Sequence, residues 1–124
     1  MNNQKEQAMK ARIYHNPRCS KSRQTLQLLK EKGVEPEIIE YLKTPPDARE
    51  ICDLCRRMGI APRELVRFKE GEARELGITK KSELPDEEWC RLMAEHPKLI
   101  ERPIVVHGDR VLLGRPPEKV LEIL

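Results

Sequence analysis

Aromatic side chains are scarce in this chain: one tryptophan, two tyrosines and one phenylalanine among 124 residues. Its core must therefore be aliphatic. A charge of one sign is also lacking, because 24 basic and 21 acidic residues leave a net charge of only +3. With opposite charges interspersed, as at Glu87-Glu88 near Arg91, that balance gives little support to nucleic-acid or membrane binding as the main activity. No segment has the apolar length of a transmembrane helix, and Met1 to Lys10 has no hydrophobic signal-peptide centre. Repeats, low-complexity tracts and coiled-coil heptads are missing too, so a cytoplasmic monomer is expected. What is present is abundant charge, 36% of the chain, on a length sufficient for one domain with a genuine core.

The four cysteines, at positions 19, 52, 55 and 90, are expected to be reduced thiols in a cytoplasmic protein. Cys52-Asp53-Leu54-Cys55 matches C-x-x-C. A redox motif of that kind needs its first cysteine at a strand-to-helix junction, whereas Asp47 to Met58 reads as one continuous helix. On it Ile51, Leu54, Cys55 and Met58 share a face, making Cys55 a core residue. A zinc site from Cys52, Cys55, Cys90 and His96 lacks a second C-x-x-C or H-x-x-x-H half.

Cys19 is different. In Tyr14-His15-Asn16-Pro17-Arg18-Cys19-Ser20-Lys21-Ser22-Arg23, a β-prone run from Ala11 to Tyr14 passes through the Asn16-Pro17 turn signal into a helix from Ser20 to Lys32, which Gly33 ends. Cys19 thus stands at or next to the helix N-cap. There the helix dipole, the unpaired N–H groups and the charges of Arg18, Lys21 and Arg23 favour an exposed thiolate with a lowered pKa. Ser20 or Ser22 could donate a hydrogen bond to the sulfur, with Ser22 preferred, or either could cap the helix. His15 is a candidate proton carrier or electrostatic neighbour, or a solvated loop histidine.

Downstream, Glu37 to Leu42 reads as a second strand and Thr44-Pro45-Pro46 as a boundary. Helices follow over Asp47 to Met58, Pro62 to about Phe68, Glu70 to Leu76 and Asp86 to Glu95, the last with Trp89 and Leu92-Met93 on its apolar side. Ile104 to Val106 and Val111 to Leu113 flank His107-Gly108-Asp109-Arg110 as a β-hairpin, and Pro116-Pro117 opens a terminal helix over Glu118 to Leu124. The order β-α-β, helical insertion, β-β-α predicts an α/β mixed four-stranded sheet whose first crossover is right-handed and parallel. The expected organisation is a flexible leader over 1–10 and one domain over 11–124, with its core at 11–46 and 100–124 and its insertion at 47–99. A cis bond at Arg102-Pro103 is also expected.

Four segments, Tyr14 to Arg23, Tyr41-Leu42-Lys43-Thr44-Pro45-Pro46, His96 to Ile104 and Gly114-Arg115-Pro116-Pro117-Glu118, together resemble the glutaredoxin-linked arsenate reductase family. The likeness runs in order and spacing from about Ala11 to Leu124. It implies a thioredoxin-like fold with a helical insertion, an arsenate or related oxyanion substrate, glutathione as co-substrate, glutaredoxin as partner, and no bound cofactor or metal. By that resemblance Cys19 is the nucleophile, Ser22 supports its thiolate, His15 lies near it, and Arg67, Arg102 and Arg115 form the oxyanion pocket. Arg63 competes with Arg67 for the place in the insertion. Guanidinium groups suit a tetrahedral oxyanion because they offer paired planar donors that stay charged. Two other activities share the motifs: a glutathione-dependent thiol reductase inactive on arsenate, and a regulator like the Spx proteins, which bind RNA polymerase. An Spx-type switch needs a second cysteine three residues after the first, and Ser22 stands there instead.

Overall fold

The computed structural model describes residues 10–124. All but the last residue of the expected leader over 1–10 therefore lies outside the described residues. The chain forms two compact units, one running to Tyr41 and resuming over Arg102–Leu124, the other spanning Leu42–Glu101. The expected insertion over 47–99 falls inside the second.

In the first unit, β1 (Ala11–His15), α1 (Ser20–Glu31), β2 (Glu37–Glu40), β3 (Ile104–His107) and β4 (Arg110–Leu113) precede a 3₁₀ segment over Pro117–Ile123. The four strands make one mixed sheet in the order β2-β1-β3-β4. β1 runs parallel to β2, with Ile13 opposite Ile38, and antiparallel to β3, with Ile13 opposite Val105. β3 and β4 form the expected hairpin, closed by Gly108 and Asp109 between the paired His107 and Arg110. Gly108 takes a positive φ of 64° there, which a two-residue hairpin turn demands and glycine adopts without strain. The fold is thioredoxin-like, and it belongs to the α/β class.

Alternation along β1 sends Ile13 into the core while Arg12 and Tyr14 share the opposite face, the guanidinium lying 5.9 Å from the ring centroid. Ile13 joins Leu29 of α1, Val105 of β3, and Val120 and Ile123 of the last segment in one aliphatic cluster, with Leu26, Leu28, Val34 and Leu112 around it. Each such side chain contributes about 1.5–3 kcal/mol on burial. The last segment is 3₁₀ rather than the expected α-helix. Its buried residues, Pro117, Val120 and Ile123, recur every third position, the period at which a 3₁₀ helix stacks side chains on one face. β2 ends at Glu40, short of Leu42.

The second unit is helical: α2 (Ala48–Met58), a 3₁₀ turn (Pro62–Leu65), α3 (Gly71–Glu75), α4 (Asp86–Glu95) and a second 3₁₀ turn (Pro97–Leu99). The Asp47 side chain accepts from the Glu50 N–H at 2.8 Å to start α2, and Gly59 at φ 74° ends it. α2 buries Ile51, Leu54 and Cys55, α4 buries Trp89, Cys90 and Met93, and the two helices pack together. Phe68 meets Trp89 edge to face, with ring centroids 5.7 Å apart. The helix expected from Pro62 to about Phe68 stops at Leu65, because Val66 pairs with Ile100 in an isolated antiparallel bridge. The Arg67 N–H donates to the Leu99 carbonyl at 2.7 Å and the Glu101 N–H to the Leu65 carbonyl at 2.8 Å.

The expectation of four reduced thiols is corrected here: Cys52 of α2 and Cys90 of α4 are joined as a disulfide. Helix packing brings their Cα atoms to 5.8 Å, inside the range that a disulfide bridges. Among the described residues, no helix is long and apolar enough to cross a membrane.

Candidate active site

β1 delivers the chain to His15, and residues 16–19 form the turn into α1. Cys19 is the N-cap, extended at φ −94°, ψ 121°, with its carbonyl accepting from the Arg23 N–H at 3.0 Å. The first turn of α1 carries no acidic residue, so no carboxylate competes for its N–H groups. Asn16 holds the turn at both ends: its carbonyl accepts from the Cys19 N–H at 3.0 Å and its side chain from the Arg18 N–H at 3.0 Å. Arg23 Nη1 donates to the Pro17 carbonyl at 2.8 Å.

Burial raises the Cys19 thiol, but this is outweighed by the Ser22 N–H, the Arg102 charge, the Lys21 N–H and a hydrogen bond from the Arg102 side chain. The net shift is downward, toward thiolate. Two details differ from the sequence-based expectation. Cys19 is 8% exposed, a recessed thiol rather than an open one. Its cationic neighbour is Arg102, brought in from beyond the insertion, whereas Arg18, Lys21 and Arg23 are exposed.

Ser22 is fully buried and its hydroxyl faces away from the expected task. The oxygen shares a buried 2.6 Å hydrogen bond with His15 Nδ1 and accepts from the Asn16 N–H at 3.1 Å. The sulfur meets the Ser22 backbone N–H instead. His15 is held below the ordinary imidazole value, first by burial and then by the Arg23 and Lys30 charges, with Glu40 opposing. The strand-end histidine is thus neutral at pH 7 and locked to the helix by the serine.

The structure brings Arg102 and Arg115 to one another as well: Arg115 Nη1 donates to the Arg102 carbonyl at 3.3 Å. Arg102 has two buried donors, Nε and Nη1, with no hydrogen-bond partner among the described residues. Buried guanidinium nitrogens are costly to leave unpaired, so their natural complement is an anion. Arg67 belongs to the helical unit, where Nη1 bonds the Glu70 carboxylate at 3.2 Å and Nε lies 3.6 Å from Glu101, the residue preceding Arg102. Arg63 is exposed in the same unit. No cluster of three or more histidine, cysteine or acidic side chains suited to a metal occurs among the described residues.

The sequence profile of the ArsC family matches residues 14–123, a span that contains every one of these groups. The chain belongs to the ArsC family. It is 54% identical over 114 residues to the uncharacterized protein YfgD of Escherichia coli K12, covering 91% of this chain and 95% of that one. It is 46% identical over 112 residues to an arsenate reductase of the same organism, covering 90% of this chain and 79% of that one. The solved structure of an arsenate reductase from Vibrio cholerae superposes with a TM-score of 0.88 at 50% identity, covering 94% of this chain and 98% of that one. The resemblance drawn from the four motifs, to the glutaredoxin-linked arsenate reductases, therefore stands.

Two residues of this ArsC chain that sequence reasoning passed over shape the arginine loops. Gly114 precedes Arg115, and a Cβ placed on it would lie 2.8 Å from Thr25 Oγ1, 3.0 Å from Thr25 Cγ2 and 3.1 Å from Pro103 Cγ. Thr25 is fully buried on α1 and donates to the Lys21 carbonyl at 2.8 Å. The Gly114 N–H donates to the Pro103 carbonyl at 2.9 Å. A glycine directly ahead of Arg115-Pro116-Pro117 was the available signal. The reason for it, contact with a helix 89 residues away in sequence, was not. Arg102-Pro103 is cis as expected, and Arg115-Pro116 is cis without having been anticipated.

Proposed function

We propose that this chain reduces arsenate to arsenite through a single thiolate, Cys19, with glutathione and glutaredoxin supplying the electrons. One observation carries the reading: the lowered Cys19 thiol sits beside Arg102, whose buried Nε and Nη1 have no hydrogen-bond partner among the described residues. A nucleophile next to buried guanidinium donors is the arrangement an oxyanion substrate requires. Similarity to arsenate reductases supports arsenate as the tetrahedral oxyanion in this reading.

In this mechanism Arg102 and Arg115 hold the oxyanion, and the motif resemblance assigns a third guanidinium to Arg67. The Cys19 thiolate attacks arsenic, a sulfur–arsenic bond forms, an arsenic–oxygen bond breaks, and the leaving oxygen departs as water after protonation. Glutathione displaces a second water from the arsenic(V) adduct. A glutaredoxin thiolate then attacks the glutathione sulfur, and the electron pair of the breaking sulfur–arsenic bond reduces arsenic to the trivalent state. Water releases arsenite and returns Cys19; a second glutathione regenerates glutaredoxin and leaves as glutathione disulfide. His15, neutral and tied to Ser22, positions the turn that presents the Ser22 and Lys21 N–H groups to the sulfur. The working form is a cytoplasmic monomer.

The test is arsenate-dependent NADPH consumption in a glutathione, glutaredoxin and glutathione-reductase assay. Cys19→Ser is expected to abolish turnover, and Arg102→Ala and Arg67→Ala to lower kcat/KM by about 10²–10³, the usual loss for one oxyanion donor. No arsenate turnover by folded wild-type protein overturns the reading. Turnover of small mixed disulfides in its place would favour a thiol reductase, and capture of RNA polymerase without any turnover would favour a regulator.

A further inference from the structure

Cys52 and Cys90 have no part in the reaction above, and they are not equivalent to each other. Cys90 is fully buried on α4, whereas Cys52 is half-buried on α2. Beside the bond lies an open hollow of about 770 Å³ that both cysteines border, together with Asp47, Arg49, Asp53 and Glu87; of the two, only Cys52 keeps exposed surface. Thiol–disulfide exchange requires a thiolate to approach one sulfur in line with the bond that breaks, so access selects the sulfur attacked. The difference in exposure favours Cys52 as the sulfur attacked, with Cys90 as the leaving group. The third cysteine of the helical unit cannot interfere. Cys55 is buried and pushed up to about 12, first by burial and then by the Asp86 and Glu64 charges, so it stays a thiol.

We propose that the Cys52–Cys90 disulfide is a second, reversible thiol–disulfide centre, entered at Cys52 by low-molecular-weight thiols. An external thiolate attacks Cys52 Sγ, a new sulfur–sulfur bond forms, and the Cys52–Cys90 bond breaks. The electron pair goes to Cys90, which takes a proton from water. A second external thiolate attacks the external sulfur of the mixed disulfide, freeing Cys52 and yielding the oxidised small disulfide. Two thiols are oxidised and one protein disulfide is reduced; the small disulfide drives the reverse. The hollow sets the preference among thiols. It carries the acidic Asp47, Glu50, Asp53 and Glu87 against the basic Arg49 and Arg56, and Arg56 is paired with Asp53. Cationic thiols are favoured over anionic ones, an effect that salt weakens.

The experiment uses the full chain carrying Cys19→Ser, so that Cys19 cannot exchange with the pair. The protein is equilibrated in glutathione buffers of graded ratio, acid-quenched, alkylated and weighed intact. The expected result is a single two-thiol step that reverses with the ratio. In Cys90→Ser the mixed disulfide forms on Cys52, and in Cys52→Ser none forms on Cys90. With each rate normalised to that on a small disulfide, cysteamine opens the bond faster than glutathione at low salt, and the gap closes as salt rises. A bond that opens only in urea, or trapping of glutathione on Cys90, overturns the proposal. So does glutathione outrunning cysteamine at low salt.

Discussion

Replacing Gly114 by alanine tests whether the arginine loops are set by packing against α1. The added methyl group would sit 2.8 and 3.0 Å from the two Thr25 branches and 3.1 Å from the Pro103 ring. Neither neighbour yields easily: Thr25 is buried and held by its bond to the Lys21 carbonyl, and Pro103 is a ring in a buried position. Overpacking of this kind costs about 1–3 kcal/mol. The alanine recovers roughly 0.4–1 kcal/mol by restricting the unfolded chain. The net expectation is a loss of about 1–2 kcal/mol, a fall in the urea midpoint of roughly 0.5–1 M for a slope of about 2 kcal/mol/M. Unfolding followed by far-ultraviolet circular dichroism measures it. Thr25→Ala removes both clashing atoms, so the double variant should be more stable than additivity predicts, by about 1 kcal/mol. Arsenate KM should rise in Gly114→Ala and recover in the double variant. A midpoint shift under about 0.2 M, or strict additivity, refutes the reasoning.

The Cys19 alkylation rate should rise with pH through a midpoint below the ordinary thiol value of about 8.5, and Arg102→Gln should move that midpoint upward. An unchanged midpoint would remove Arg102 from the electrostatics of the sulfur. For His15 the folded pKa lies below the unfolded value of about 6.5, so the unfolded chain binds the proton first. Stability is fully present above that pH and is lost as pH falls through the lowered folded value; unfolding of His15→Asn across the same range should lack this component. Under non-reducing native conditions at pH 8, iodoacetamide should label Cys19 and leave Cys55 unmodified, as peptide mapping would report.

Local chemistry made much of the fold legible. The Asn16-Pro17 turn and the Gly33 stop framed α1, the Thr44-Pro45-Pro46 boundary framed α2, and alternation about His107-Gly108-Asp109-Arg110 framed the hairpin. What escaped was set by partners distant in sequence. Val66 leaves its helix to pair with Ile100, and Cys52 meets Cys90 across 38 positions. On sequence grounds the Ser22 hydroxyl is the preferred donor to the sulfur, since a hydrogen bond to the thiolate lowers its pKa. A histidine at the end of β1 claims that hydroxyl first, and only the strand-to-helix approach reveals that competition. Arg102 and Arg115 were found through motif resemblance; periodicity alone would have left them among 24 basic residues.

The 2.6 Å bond between His15 and Ser22 ties the last residue of β1 to the first turn of α1, turning the intervening chain into a short closed ring. A thiolate on a free loop would have to give up torsional freedom each time it met its target. On this ring the immobilisation is completed when the protein folds, and the hydrogen-bonded β1 strand lies between two neighbours that resist its displacement. In the proposed mechanism, the entropy lost in aiming the thiolate therefore falls on folding stability and not on each turnover. Cutting the ring with Ser22→Ala should consequently loosen the turn without removing any group that contacts substrate.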